Sequence, residues 1–258
     1  MSLKVTSLTA KQSLFSDVSF ELAAGEVLAI IGPNGAGKTS LLKSLVDEWP
    51  CEQGEVSYHG LALKDWPAVE RAKQLAILPQ QSLLNFPYTA EEVVMLGRTP
   101  HATGQKVDRA IVDAAIAEVD LGHLRQKLYT QLSGGEKQRT QLARAMTQIS
   151  SIDEANDDAP RYLFLDEPTS SLDLGHQKQL MQWVQRFAQQ GVSIVMVVHD
   201  VSLAARYADR LLAMREGRVV AFGSAHEVVS EAVMKELYQV DVKVIPHPET
   251  GFPVVLGV

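Results

Sequence analysis

Eight consecutive residues, Gly32-Pro33-Asn34-Gly35-Ala36-Gly37-Lys38-Thr39, fit the pattern G-x-x-x-x-G-K-[ST]. Glycines let backbone N–H groups turn inward around phosphate oxygens, and the helix start that follows adds the positive end of its dipole. Lys38 supplies a point charge for the β- and γ-phosphates, and the Thr39 hydroxyl suits the shell of a Mg²⁺ ion. The plain alternative is a Gly-rich strand-to-helix turn with an incidental lysine. Its flanks favour the phosphate reading, because the apolar run Val27 to Ile31 leads in and a helical pattern from Ser40 to Val46 leads out.

Two further sites complete the chemistry. Leu163-Phe164-Leu165-Asp166-Glu167 is an apolar strand that ends in two carboxylates. Asp166 suits a Mg²⁺ shell, usually through a water, and Glu167 could orient or deprotonate the water that attacks a γ-phosphate. Alone the pair would pass for a surface turn; beside a phosphate loop it gains meaning. Leu132-Ser133-Gly134-Gly135-Glu136 opens a second helix whose N-terminus could hold an anion, or could simply be capped by Ser133. One nucleotide has one γ-phosphate, so two such helix starts exceed what one chain needs. A dimer resolves the excess, with each nucleotide between one subunit's Lys38 loop and the other's Ser133 turn.

These groups need a rigid frame. Val18 to Leu22 and Val56 to His59 alternate apolar and polar as half-buried strands do. Val27 to Ile31, Tyr162 to Leu165, Ser193 to Val198 and Leu211 to Met214 are instead continuously apolar, as strands buried on both faces are. Helical patterns lie between them, one with Leu180, Val184 and Phe187 closing at Gly191, so the sheet should be mostly parallel and the class α/β. From Phe86 to Gln131 no such strand is expected; Val107, Ile111, Ala115 and Val119 trace a helical stripe, read as an insertion. Residues 150–160 carry Asp153, Glu154, Asp157 and Asp158 and read as a solvated loop, with a metal or partner site as the alternative. After Ser224 a short helix and a Pro/Gly-bearing tail are expected.

Composition narrows the classes. Hydrophobic residues at 46% and charged residues at 21% of 258 exclude disordered and collagen-like chains. Apolar runs such as Ile194 to Val198 are strand-sized, and the first residues lack the apolar core of a signal peptide. Cys51 is the only cysteine, which fits a reducing cytoplasm. A net charge of -7 argues against wholesale nucleic-acid binding.

The ordered set of the Gly32 to Thr39 loop, Gln80, Leu132 to Glu136, Leu163 to Glu167, Ser171-Leu172-Asp173 and His199 closely resembles the nucleotide-binding subunits of ABC transporters. The LSGGE run discriminates, since kinases, GTPases and recombinase-type ATPases share the first loop and lack it. The resemblance implies a P-loop ATPase core with a mostly parallel sheet, an N-terminal antiparallel β part and an inserted helical part. It implies one domain, with residues 1–85 and 141–225 as core, 86–140 as helical subdomain and 226–258 as C-terminal helix and tail. By the same resemblance Gln80 is the glutamine that contacts Mg²⁺ or its water, with Gln81 the other possible register. Asp173 is an aspartate at the dimer interface, His199 the switch histidine at the γ-phosphate, and Ser40 joins the nucleotide contacts of the loop.

The implied ligands are ATP and Mg²⁺, and the implied partners are a second copy, a membrane permease dimer and, indirectly, a periplasmic haem-binding protein. The implied place is peripheral, on the cytoplasmic face of the inner membrane. The segment Asn85 to Arg98 is similar to that of the iron-chelate and vitamin B12 importer group, and its Phe86-Pro87-Tyr88-Thr89 turn, with the acidic loop and the Ser171 to Gln177 segment, to haem importers. Siderophore or cobalamin import is the nearest alternative, and a soluble scaffold ATPase for iron–sulfur assembly is one of another class. His59, His101, His123, His176, His226 and His247 form no tight ligand pattern, so this chain is not expected to ligate haem. One departure from the family stands out: it usually stacks an aromatic on adenine, and here the early segment offers only Phe15, which reads as a strand residue packing inward.

Overall fold

The structure is a computed structural model that describes residues 3–80, 84–150, 159–170 and 172–257. The acidic run Asp153 to Asp158, Gln81 and Ser171 lie outside the described residues. The chain divides into two units, residues 1–65 with 180–258, and residues 66–179.

In the first unit, β1 (Leu3–Ala10), β2 (Val18–Leu22), β4 (Cys51–Tyr58) and β5 (Leu61–Ala62) form an antiparallel sheet in the order β2-β1-β4-β5. Its alternation is visible in β2, buried at Val18, Phe20 and Leu22 and exposed between. Lys4 and Glu21 sit opposite each other in register and pair at 2.7 Å on the wet face. β3 (Val27–Ile31) is buried at every position and runs parallel to both β8 (Val192–Val197) and β9 (Arg210–Arg215). β10 (Arg218–Gly223) closes on β9 as a hairpin. α1 (Lys38–Leu45) follows β3, α7 (Val201–Tyr207) follows β8, and α8 (Ala225–Val228) and α9 (Glu231–Tyr238) follow β10. α6 (Leu174–Gln189) buries Leu180, Met181, Trp183 and Val184.

The expected tail differs. Beyond α9 it is a hairpin, β11 (Val242–Pro246) with β12 (Pro253–Gly257). The prolines conceal it in the sequence, yet both stand at strand ends, where a missing N–H costs little. His247 N–H donates to Phe252 O at 2.8 Å and Gly251, at φ +74°, supplies the turn.

In the second unit, α2 (Ala68–Gln74) leads into β6 (Leu75–Leu78), which pairs in parallel with β7 (Arg161–Asp166). Between them lie α3 (Ala90–Met95), α4 (Gln105–Glu118) and α5 (Gly134–Ile149). The α4 stripe forms as its period requires: Ile111 and Ala115 are buried, joined by Val112 and Ile116, while Val107 is half-buried.

α5 has no basic residue in its last turn, and the missing cation comes from elsewhere. Arg98 is 3% exposed; its Nη1 donates to Thr147 O and Ser150 O, both at 2.7 Å, and its Nε to Asp108 at 2.8 Å. His101 Nε2 meets Gln148 O at 2.8 Å. A guanidinium over the carbonyl end satisfies both orphan acceptors and the dipole. Arg98→Ala takes the cation from Asp108, which keeps the Thr103 hydroxyl at 2.7 Å, and strands those carbonyls, so it should cost about 3 kcal/mol of stability, checked by urea denaturation; a loss below about 1 kcal/mol would remove this role.

Candidate nucleotide site

β3 and β8 pair Ile30 with Val197, so two residues further on Gly32 and His199 stand at the same height, beyond neighbouring carboxyl ends. Ligands of open α/β sheets bind at such ends. Gly32 is buried, and an added Cβ would lie 2.0 Å from Met214 O. Gly37 starts α1 at φ +94°, and a Cβ there would meet Leu14 O at 2.6 Å. Neither position tolerates a side chain.

Lys38 is buried at 6% exposure, and its Nζ donates to Gly32 O and Pro33 O, each at 2.8 Å. The loop is thus wrapped around its own ammonium. Asn34 and Gly35 are exposed at the tip, Pro33, Gly37, Thr39 and Ser40 are half-buried, and Ala36 is buried.

Sequence reasoning missed one wall of this loop. Gly217, in the β9–β10 turn at φ +74°, donates its N–H to Ala36 O at 3.1 Å and accepts from Ser16 N at 2.9 Å. A Cβ at Gly217 would lie 2.8 Å from Leu14 O. Phe15, between these contacts, is 1% exposed, in a turn and not in a strand. Its ring offers no face to a base.

The second unit carries the carboxylates. β6 and β7 pair Leu78 with Leu165, so Gln80 and Glu167 also fall at one height beyond their strands. Gln80 Nε2 donates to Glu167 Oε2 at 2.6 Å. Asp166, the last residue of β7, is 3% exposed. Glu167 has φ +49°, an uncommon conformation for glutamate that clusters at functional sites. Ser170 N–H and its hydroxyl both donate to Glu167 O, at 3.2 and 3.1 Å, and Gln138 of α5 donates to Pro168 O. The turn holding Glu167 is therefore fixed from two sides.

Ser133 is the N-cap of α5 in a capping box: its Oγ accepts from Glu136 N at 3.3 Å, and Glu136 Oε2 accepts from Ser133 N at 2.7 Å. That backbone N–H holds the Glu136 carboxyl below its usual range. Ser133 and Gly134 are exposed and Gly135 is half-buried, so the positive end of a 16-residue helix meets solvent. Asp173 accepts from His176 N and faces His176 Nδ1, both at 2.9 Å, and these contacts lower its carboxyl pKa. It is exposed at the start of α6, beside Leu174, which is 84% exposed.

Among the described residues no cluster of three or more His, Cys, Asp or Glu could cage a metal. Each unit carries hard-oxygen donors, the Thr39 hydroxyl in the first and the Asp166 carboxylate and Gln80 amide oxygen in the second. They suit Mg²⁺, which keeps water and takes phosphate oxygens in place of an all-protein cage. Among the described residues no helix is long and apolar enough to cross a membrane.

Known proteins resemble this chain in sequence and in fold. The ABC transporter family model matches residues 15–170. The chain is 44% identical over 243 residues to the hemin import ATP-binding protein HmuV of Pseudomonas entomophila (strain L48), covering 94% of this chain and 93% of that protein. A solved ABC transporter in an inward-facing conformation superposes with a TM-score of 0.82 at 24% identity, covering 100% of this chain and 97% of that one. The dimeric bacterial ABC transporter cassette MJ0796 superposes with a TM-score of 0.75 at 23% identity, covering 86% and 98%. At that identity the structures speak for the fold.

Proposed function

Because the chain belongs to the ABC transporter family, we propose that it is the ATP-hydrolysing subunit of a bacterial importer that carries haem through a membrane permease. The observation that carries the ATPase reading is the Lys38-clamped loop at the end of β3 in a chain that also holds the Gln80–Glu167 pair. The haem reading rests on the 44% identity to a hemin import ATP-binding protein.

Residues Gly32 to Ser40 bind the triphosphate through backbone N–H groups and the Lys38 ammonium. Thr39, Asp166 and Gln80 would hold Mg²⁺, which when bound neutralises charge on the β- and γ-phosphate oxygens. Glu167 accepts a proton from the attacking water, and the Gln80 amide keeps its carboxylate oriented. His199 donates a hydrogen bond to the γ-phosphate. The exposed Ser133-Gly134-Gly135 helix start binds the nucleotide of a second copy, so closure by ATP makes a homodimer with Asp173 at its interface. The bare Leu174 side chain beside Asp173 supports such an interface.

Residues 86–140 are the helical subdomain that couples to the permease, 1–85 and 141–225 the core, and 226–258 the C-terminal part. The assembly lies on the cytoplasmic face of the inner membrane, fed by a periplasmic haem-binding protein. Gln80 links the chemistry to coupling. Gln80→Ala should retain ATP binding and lose most of the stimulation by permease with haem-loaded binding protein. ATPase rates in reconstituted vesicles, with loaded and empty binding protein, decide it. Equal stimulation of wild type and variant would remove Gln80 from coupling. A wild type that responds to a siderophore or cobalamin and not to haem would overturn the cargo and leave the ATPase standing.

A further inference from the structure

Two donors shut off from solvent and without an acceptor line one cavity of the first unit. Ser44, in the last turn of α1, is 4% exposed, and its Oγ has no hydrogen-bond partner among the described residues. Trp49 Nε1 has none either. Both residues line a cavity of 360 Å³ between the end of α1 and strands β1, β4 and β5. Asp47, at φ +67°, turns the chain out of α1 at its rim. In its wall the register of β1 on β4 slips, and no side chain fits at Gly54, where a Cβ would lie 2.4 Å from Ser7 O. No residue of the Gly32 to Ser40 loop lines the cavity, and Ser44 lies about 9 Å along α1 from Lys38.

The lining selects a guest. Buried donors gain most from a group that brings acceptors, and Trp49 Nε1 can only donate. At the rim Lys64 and Glu55 are exposed, and neither has an ion pair among the described residues. An inorganic anion would face the Asp47 and Glu55 carboxylates against a single ammonium, and a simple cation would face Trp49 N–H and Lys64. A zwitterion satisfies both signs. Leu8, Val56 and Leu63, all buried, add an apolar wall.

We infer that this cavity binds a free α-amino acid with an apolar side chain. Its carboxylate accepts from Trp49, Ser44 and Lys64, and its ammonium meets Glu55. The inference makes no use of the transporter reading.

L-leucine is the probe, and Cys51 is the reporter. Cys51 lines the cavity, is half-buried and is the only cysteine of the chain, so alkylation by iodoacetamide reads this one place. Leucine should bind the full chain with a Kd on the order of 1 mM by calorimetry. At saturation it should slow Cys51 alkylation about tenfold. Trp49→Phe keeps a ring and loses the N–H, and should weaken leucine about tenfold. Lys64→Gln and Glu55→Gln change exposed side chains, should keep the wild-type Tm and should each weaken leucine about fivefold. N-acetyl-leucine lacks the ammonium and leucinamide the carboxylate, so each should bind about tenfold more weakly than leucine. No leucine binding at about ten times the expected Kd would overturn the inference. So would unchanged Cys51 alkylation at saturation, equal affinity for leucine and its two derivatives, or leucine affinities of Trp49→Phe and Lys64→Gln both within about twofold of wild type.

Discussion

Glu167→Gln is expected to lower ATP hydrolysis by about a thousandfold while ATP binding stays near wild type. The substitution keeps the volume and the turn, so the φ of +49° and the two Ser170 bonds to its carbonyl survive. What goes is the carboxylate. The Gln80 amide at 2.6 Å still finds an amide oxygen to bond, but that oxygen cannot take a proton from water at neutral pH. Substrate affinity should persist because the phosphate contacts belong to the Gly32 to Ser40 loop, in other elements. With ATP held and not spent, the variant should also accumulate as a dimer, visible by sizing at several protein concentrations. Hydrolysis at the wild-type rate would exclude Glu167 as the base, and a strictly monomeric profile with ATP bound, with and without permease, would sink the shared-site model.

The loops of this protein were more legible than its edges, and chemistry explains why. Gly32, Gly37 and Lys38 form a pattern of eight consecutive residues, so their spacing can be read without knowing what surrounds them. Strands β3, β7 and β8 were legible because burial on both faces demands continuous apolar residues. β6 was missed: four residues, Leu75 to Leu78, directly after a helix fit either period. Gly217 looks like any hairpin glycine, and only the folded chain brings its N–H to Ala36 O. Arg98 stood in a segment noticed for its family likeness, while its work at the α5 carbonyls depends on contacts about fifty residues away in sequence. The one local clue was negative, a long helix with no basic residue in its last turn. The Gln80–Glu167 bond needed the parallel register of β6 on β7, which no local pattern encodes.

Lys38→Ala should have a loss of the same order as Glu167→Gln, but in binding. The ammonium is buried against Gly32 O and Pro33 O at 2.8 Å each, so it arrives at the phosphates already desolvated and aimed. The ammonium has three N–H groups, so one carbonyl bond gives way as two form to the β- and γ-phosphates; at roughly 1.5–3 kcal/mol for each charge-assisted hydrogen bond these make about 4 kcal/mol. ATP affinity should fall about a thousandfold, measured by equilibrium titration of the isolated chain. Three variants separate position from charge. Lys38→Met keeps the stem in its buried slot and loses the charge, so it should fail like alanine. Lys38→Arg keeps the charge, but its planar fork does not fit a slot closed by two carbonyls, and it should fail nearly as far. Stability should fall by only about 1–3 kcal/mol in all three, because the released Gly32 carbonyl is buried while exposed Asn34 and Gly35 leave the loop tip wet. Unchanged ATP affinity with lost turnover would move Lys38 from binding to the chemical step. A Tm that collapses with the affinity would make it a structural lysine.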